Sequence, residues 1–213
     1  EFFLSDIQSS MNTIMLVSKF DHCLNDILYR VRNNSLNLNI KAIVSNHKIA
    51  EEIANFSKIP FYYFPVDKSN KEKQELKIKN LIIKNDVEMI VLARYMQVLS
   101  EEFTNEFEGK IINIHHSFLP SFKGAKPYHQ AFERGVKVIG ATAHYVTSDL
   151  DEGPIIEQDT QIVDHEMMPN NLVSMGRDVE SRVLYRALKA HSERRVFLNG
   201  NRTVVFKGHR ILE

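Results

Sequence analysis

Asn113, His115 and Asp151 are the residues of this chain whose types and spacing could do chemistry. The first two lie in Asn-Ile-His-His-Ser-Phe-Leu-Pro at 113–120, the third in His-Tyr-Val-Thr-Ser-Asp-Leu-Asp-Glu-Gly-Pro-Ile-Ile at 144–156. Each segment runs from an apolar strand into a polar loop, so an amide, an imidazole and a carboxylate could converge on one carbonyl. That combination suits a formyl group. To break a formamide, water or an amine attacks the carbonyl carbon, negative charge builds on its oxygen, and the leaving nitrogen takes a proton. An Asn N–H and an imidazolium can hold that oxyanion, each donor typically worth ~10²-fold or more in rate. A carboxylate can orient the nucleophile and shuttle its proton. An ordinary Asp, with a pKa of about 4, is a poor base at neutral pH, so Asp151 in this role is expected to be partly desolvated and raised.

Taken singly, each residue has an ordinary use: Asn113 can satisfy a loop backbone, His115 or His116 can be a hydrogen-bonded half-buried histidine, and Asp151 can form a turn before Glu152-Gly153. Their joint occurrence in this order favours the chemical reading. His115, His116, His129 and His144 match no standard metal-ligand spacing, and the sole cysteine, Cys23, is remote from them. No metal and no cofactor are expected.

The elements that must position these groups alternate. Residues 13–18 (Thr-Ile-Met-Leu-Val-Ser) are continuously apolar, as a strand covered on both faces would be. A helix is expected over 21–33 with Asp21 as N-cap, a strand over 39–45, a helix near 47–56 and a short strand at 60–64 between Pro60 and Pro65. The charged stretch 68–84 carries Leu76, Ile78, Leu81 and Ile82 near helical spacing, which reads as a solvated helix. Strands at 87–92 and 110–114 bracket a short helix near 100–106. Two β-rich runs, 138–146 and 154–163, flank the Asp151 turn. A long helix is expected over 169–192, starting at Pro169, then a hairpin turning at Asn199-Gly200. This pattern predicts an α/β fold: a Rossmann-like, mostly parallel sheet with helices on both faces and a C-terminal β-hairpin. Ligands of such sheets sit beyond the carboxyl ends of the strands, where Asn113 and His115 fall.

Equal numbers of acidic and basic residues (27 each) leave no general field to attract a polyanion, so neither nucleic acid nor an anionic membrane is expected as a partner. One cysteine excludes an intramolecular disulfide and fits a reducing, cytoplasmic setting. No apolar run approaches a membrane span. Residues 11–213 are expected to form one domain, and 1–10 a leader or the remnant of a preceding segment.

The motifs Asn-x-His followed by Ser-x-Leu-Pro, then His-x-Val-x4-Asp-x-Gly-x-Ile, resemble the active-site pattern of the formyltransferase-fold enzymes that use 10-formyltetrahydrofolate. Ile-Ile-Asn-Ile-His-His-Ser-Phe-Leu-Pro, Gly-Ala-Lys-Pro-Tyr-His-Gln-Ala, Ile-Gly-Ala-Thr-Ala-His-Tyr-Val and Leu-Asp-Glu-Gly-Pro-Ile-Ile resemble the formyltetrahydrofolate deformylases more closely still, over nearly all of 13–207. The resemblance implies the formyltransferase fold and hydrolysis of 10-formyltetrahydrofolate to formate and tetrahydrofolate, in one-carbon and purine metabolism. It carries Asn113, His115 and Asp151 over as the catalytic trio. The folate and a water molecule are then the partners, and a homo-oligomer is expected. The folate pocket would involve Leu92, Tyr95, Met96, Gln97, Val98 and Leu99, with His116, His144, Val146, Thr147, Ser148 and Leu150. Such relatives usually carry a small N-terminal regulatory domain of the amino-acid-binding ACT type, of which only about ten residues would remain here.

Two other readings compete: formyl transfer to an amine such as glycinamide ribonucleotide, and a folate-binding sensor without catalysis. In transformylases the first strand-to-helix loop carries a Gly-Ser-Asn phosphate cradle. Here it reads Ser18-Lys19-Phe20-Asp21-His22-Cys23-Leu24, without glycine and with a carboxylate that repels phosphate. Water is the expected acceptor, His116 is placed to hold or exclude it, and Cys23 is read as packing rather than as a nucleophile.

Overall fold

The computed structural model describes residues 9–67, 69–119 and 127–208. Seven strands form the central sheet: β1 (Met11–Val17), β2 (Leu38–Ser45), β3 (Phe61–Tyr63), β4 (Met89–Leu92), β5 (Ile111–His115), β6 (Val138–Tyr145) and β7 (Ile155–Ile162), in the order β3-β2-β1-β4-β5-β6-β7. Pairing is parallel from β3 to β5 and antiparallel at β5–β6 and β6–β7. The helices are α1 (His22–Arg32), α2 (Glu51–Phe56, after a 3₁₀ turn at Lys48–Ala50), α3 (Lys71–Lys84), α4 (Glu101–Glu106), α5 (Pro127–Glu133) and α6 (Pro169–Ser192). Strands β8 (Val196–Asn199) and β9 (Arg202–Val205) make a separate hairpin.

Both faces of β1 are buried, which is why its sequence is apolar without alternation. Met15 and Val17 join a core built with Cys23, Leu24 and Ile27 of α1 and Val179, Val183, Leu184, Ala187 and Leu188 of α6. Ile14 and Leu16 face the opposite way, into a core with Ile78, Leu81 and Ile82 of α3 and Phe103 of α4. Helices therefore cover both sheet faces. Among the described residues, no helix is long and apolar enough to cross a membrane.

The structure amends several details of the sequence reading. Asp21 stands at the N-cap of α1 but makes no side-chain cap bond. Leu76, read as part of the apolar stripe of α3, is 56% exposed; Gln74 and Glu75 are buried instead, because each has a specific polar partner. The hairpin loop is Gly200-Asn201, since Asn199 pairs with Arg202, and Gly200 supplies the positive φ of 59°. The sequence reading missed α5. Its signals were Pro127 at the first turn and Gly135 past the end, with φ 59° and the turn bonds Gly135 N–H to Phe132 and Val136 N–H to Ala131.

Helix α6 starts where expected, at Pro169, and its first turn is closed by Asn171, whose side-chain oxygen accepts the Met168 N–H at 2.9 Å. Gly176 in this helix makes room for the ring of Tyr128 on α5. A Cβ there would lie 2.1 Å from Tyr128 Cζ. Gly176→Ala should therefore destabilise the protein by about 1–3 kcal/mol through overpacking, despite the ~1 kcal/mol that alanine gains in helix propensity. Urea unfolding checks this; a midpoint equal to or above the parent's would show that Tyr128 moves aside freely.

Candidate active site

Strand register sets the first contact. β4 ends at Leu92, level with Asn113 on β5, and Asn113 stands opposite His144 on antiparallel β6. The His144 Nδ1 lies 2.8 Å from the Tyr145 carbonyl, which can only accept, so Nδ1 carries the hydrogen. In the neutral ring Nε2 then accepts from Asn113 Nδ2 at 3.2 Å, turning the amide nitrogen toward the site. Tyr145 sits at the end of β6, and the chain returning from the Asp151 turn packs tightly there: a Cβ on Gly153 would lie 1.8 Å from the Tyr145 oxygen.

Asp151 adopts φ 57°, a left-handed conformation that short polar side chains tolerate better than most. Its Oδ2 lies 3.2 Å from His115 Nδ1, and its Oδ1 lies 3.7 Å from His144 Nε2. The Nδ1 of His115 thus faces a carboxylate and its Nε2 is buried without a protein hydrogen-bond partner. His116 packs edge-on against His115, with ring centroids 5.2 Å apart.

The expectation of a raised Asp151 carboxyl is corrected. Burial does push it up, but the hydrogen bond from His115 and the proximity of both imidazoles outweigh burial and hold the group below the ordinary carboxylate range. His116 goes the other way from a charged histidine: burial, with the nearby Arg94 charge, lowers it from 6.5 to about 4, so it is neutral at pH 7.

These groups line a cavity of about 250 Å³. Leu92, Tyr95, Met96, Gln97, Val98 and Leu99 form one wall, and Val146, Thr147, Ser148 and Leu150 another, with Asn113, His115, His116, His144 and Asp151 between them. Every residue that the sequence reading grouped as site or pocket faces this space. Tyr95 is buried in the wall, its hydroxyl accepting from Gln74 Nε2 at 2.7 Å. Thr104 and Ile114 also line the cavity and were not foreseen; Arg94 and Asp149 do so from within the 92–99 and 146–151 segments that the resemblance assigned to the pocket, without having been singled out. Pro120 of the first motif, the Gly-Ala-Lys at 124–126 and the presumed leader at 1–8 lie outside the described residues.

Next to the cavity lies a buried polar cluster. Glu180 on α6, 1% exposed, accepts from Tyr128 Oη at 2.6 Å and pairs with His22 Nε2 at 2.8 Å. Arg94 Nε lies 3.3 Å from the same carboxylate. Burial alone would raise Glu180, yet the His22 hydrogen bond and the Arg94 charge hold it below the ordinary range. His22, Cys23 and Glu180 bring three ligand-type atoms within 4.8 Å of one another. The donor set fits a metal poorly: the thiol is pushed far up by burial, and Glu180 is already occupied by Tyr128, His22 and a guanidinium. In the first loop, His22 is thus committed to Glu180. A carboxylate inside the apolar stripe of α6, between Val179 and Val183, was the sequence signal for this cluster.

A family model described as Formyl transferase matches residues 11–188. The chain belongs to that family. It is 52% identical over 194 residues to a formyltetrahydrofolate deformylase of Corynebacterium sp. (strain P-1), covering 91% of this chain and 68% of the relative. The Bacillus subtilis (strain 168) protein of the same name is 48% identical, with 90% and 64% covered. The chain thus spans about two thirds of the length of these curated relatives. A crystal structure of formyltetrahydrofolate deformylase from Burkholderia mallei ATCC 23344 superposes with a TM-score of 0.92 at 52% identity, over 95% of this chain and 72% of that one. Glycinamide ribonucleotide transformylase 1 from Symbiobacterium toebii gives 0.86 at 26% identity, over 93% and 95%.

The acid limb of stability follows from these shifts. His116 binds its proton less readily in the folded state, so stability should fall as pH drops from 6.5 toward 4; Asp151 adds a further loss below its unfolded value of 3.8, as its carboxylate is protonated away from the histidines. His191, also lowered to about 4 by burial, acts in the same sense as His116. His116→Asn should flatten the decline between pH 6.5 and 4 and leave the loss below 4. Denaturant unfolding across pH measures it, and a parallel curve for the variant would refute the assignment.

Proposed function

We propose that this chain hydrolyses 10-formyltetrahydrofolate to formate and tetrahydrofolate, serving one-carbon metabolism and supplying formate for purine synthesis. The observation that carries the reading is Asp151 paired to His115, with Asn113 beside them, in one cavity. The deformylase relatives support it. The first loop, without glycine and with Asp21, favours water over a phosphorylated amine as acceptor.

The formyl group would lie with its oxygen toward the Asn113 amide and His115. With Nδ1 donating to Asp151, His115 offers a donor at Nε2 when that nitrogen carries a hydrogen as well. Water attacks the carbonyl carbon, the C–N bond breaks, and the released nitrogen ends with the proton that water gave up. Asp151 orients that water and relays the proton. Its depressed resting affinity for protons makes it a weak base at first. Charge developing on the formyl oxygen then draws on His115 and raises the carboxylate's proton affinity as the transition state forms. The pterin would lie between the 92–99 wall and the 146–150 wall.

Formate release from 10-formyltetrahydrofolate by the purified chain, with and without glycinamide ribonucleotide, tests the reading. Release independent of the amine is expected; release only with the amine would make the chain a transferase, and folate binding with neither would make it a sensor. Asp151→Asn should lower kcat by about 10²–10⁴-fold with folate binding retained, and Asn113→Ala by about 10² or more. Unchanged kcat with a raised KM would reassign either residue to binding.

A further inference from the structure

Arg94 is held in a way that packing alone does not explain. Its backbone sits at φ 62°, unusual for a long side chain, and its residue surface is 7% exposed. Such a conformation persists only where its surroundings fix it. Here the Ser18 N–H donates to the Arg94 carbonyl at 3.3 Å, and the Ser18 hydroxyl accepts the Met96 N–H at 3.0 Å. The guanidinium is braced against Glu180, but that contact is not aligned as a hydrogen bond: Nε and Nη1 are both buried with no hydrogen-bond partner. A buried charged donor left in that state is costly and calls for an acceptor. Arg94 lines the same cavity as Asn113, His115 and Asp151, and it is the only lysine or arginine among the described residues that do so. His116, beside it, is neutral at pH 7 and supplies no competing positive charge.

We propose that Arg94 is the binding group of a subsite for a small carboxylate, the formate released from the formyl group. The inference rests on the hydrolytic reading and names where its one-carbon product goes. Hydrolysis turns a neutral formamide and water into an amine, a formate anion and a proton. The new anion arises beside the Asp151 carboxylate, which repels it, and Arg94, which lines the same cavity, carries two N–H donors without a hydrogen-bond partner. Glu180 faces this guanidinium at 3.3 Å and offsets part of its charge, but its hydrogen bonds come from His22 and Tyr128, so the Nε and Nη1 donors of Arg94 keep no hydrogen-bond partner.

The test is direct titration of the purified chain with ¹³C-labelled formate, followed by NMR line broadening in the absence of folate. Saturable binding is expected, with a Kd of about 1 mM at best for a ligand of three non-hydrogen atoms. Arg94→Gly removes the guanidinium at a position whose backbone suits glycine, and should weaken binding at least tenfold. Arg94→Lys keeps a positive charge facing Glu180 and so guards against a folding defect, yet it should also weaken binding several-fold by losing the planar fork. Formate binding equal to the parent's in both variants, or no saturable binding in the parent, overturns the proposal. Formate release from 10-formyltetrahydrofolate is scored separately. Release without Arg94-dependent formate binding sinks the subsite alone; Arg94-dependent binding without release sinks the hydrolytic reading and leaves the carboxylate site standing.

Discussion

A carboxylate taken out of water must be paired or it unfolds the region around it, and Glu180 imposes that constraint on this protein. Its partners come from three separate stretches of chain: His22 from the start of α1, Tyr128 from α5 and Arg94 from the loop after β4. Satisfying one buried charge therefore fixes α1, α5 and the β4 loop relative to α6. The β4 loop continues into the 95–99 wall of the cavity, so the shape of the candidate active site depends on a residue that the cavity itself does not include. Gly176, one helical turn before Glu180, belongs to the same arrangement, because any side chain there would displace the Tyr128 ring.

Within the site, two histidines with different partners do different work. His144 is tied to the Tyr145 carbonyl and orients Asn113; His115 is tied to Asp151 and leaves Nε2 free. The carboxylate between them shows why desolvation alone is a poor guide to acidity. Asp151 is partly buried, which by itself would make it a better base, but the imidazoles beside it reverse the sign. A carboxylate in that state acts first by holding the His115 ring in place, and its capacity to take a proton has to be released by the reaction.

Much of the fold was legible because it rests on periodicity. Continuous apolar runs marked the two-sided strands, and Pro169 marked the start of α6. The grouping of Asn113, His115 and Asp151 with the 92–99 and 146–150 segments was legible from motif order, and all of these residues line one cavity. Pairwise electrostatics was not legible. The approach of His144 to Asp151 depends on how the turn between them folds back, and the partners of Glu180 lie tens of residues away, so neither follows from local pattern. Leu76 failed for a related reason: spacing placed it on the stripe of α3, whereas polar partners drew Gln74 and Glu75 inward.

A shared fold leaves the choice of acceptor open, and that choice has to be read from the groups around the site. In this chain the first strand-to-helix loop presents Asp21 and commits His22 to Glu180. Across the cluster, Arg94 takes up a backbone conformation that glycine would adopt without strain, and places a large cationic side chain there instead. That side chain also faces the Glu180 carboxylate at 3.3 Å, so a substitution at Arg94 would act at once on the wall of the candidate site and on the pairing that joins α1, α5 and α6.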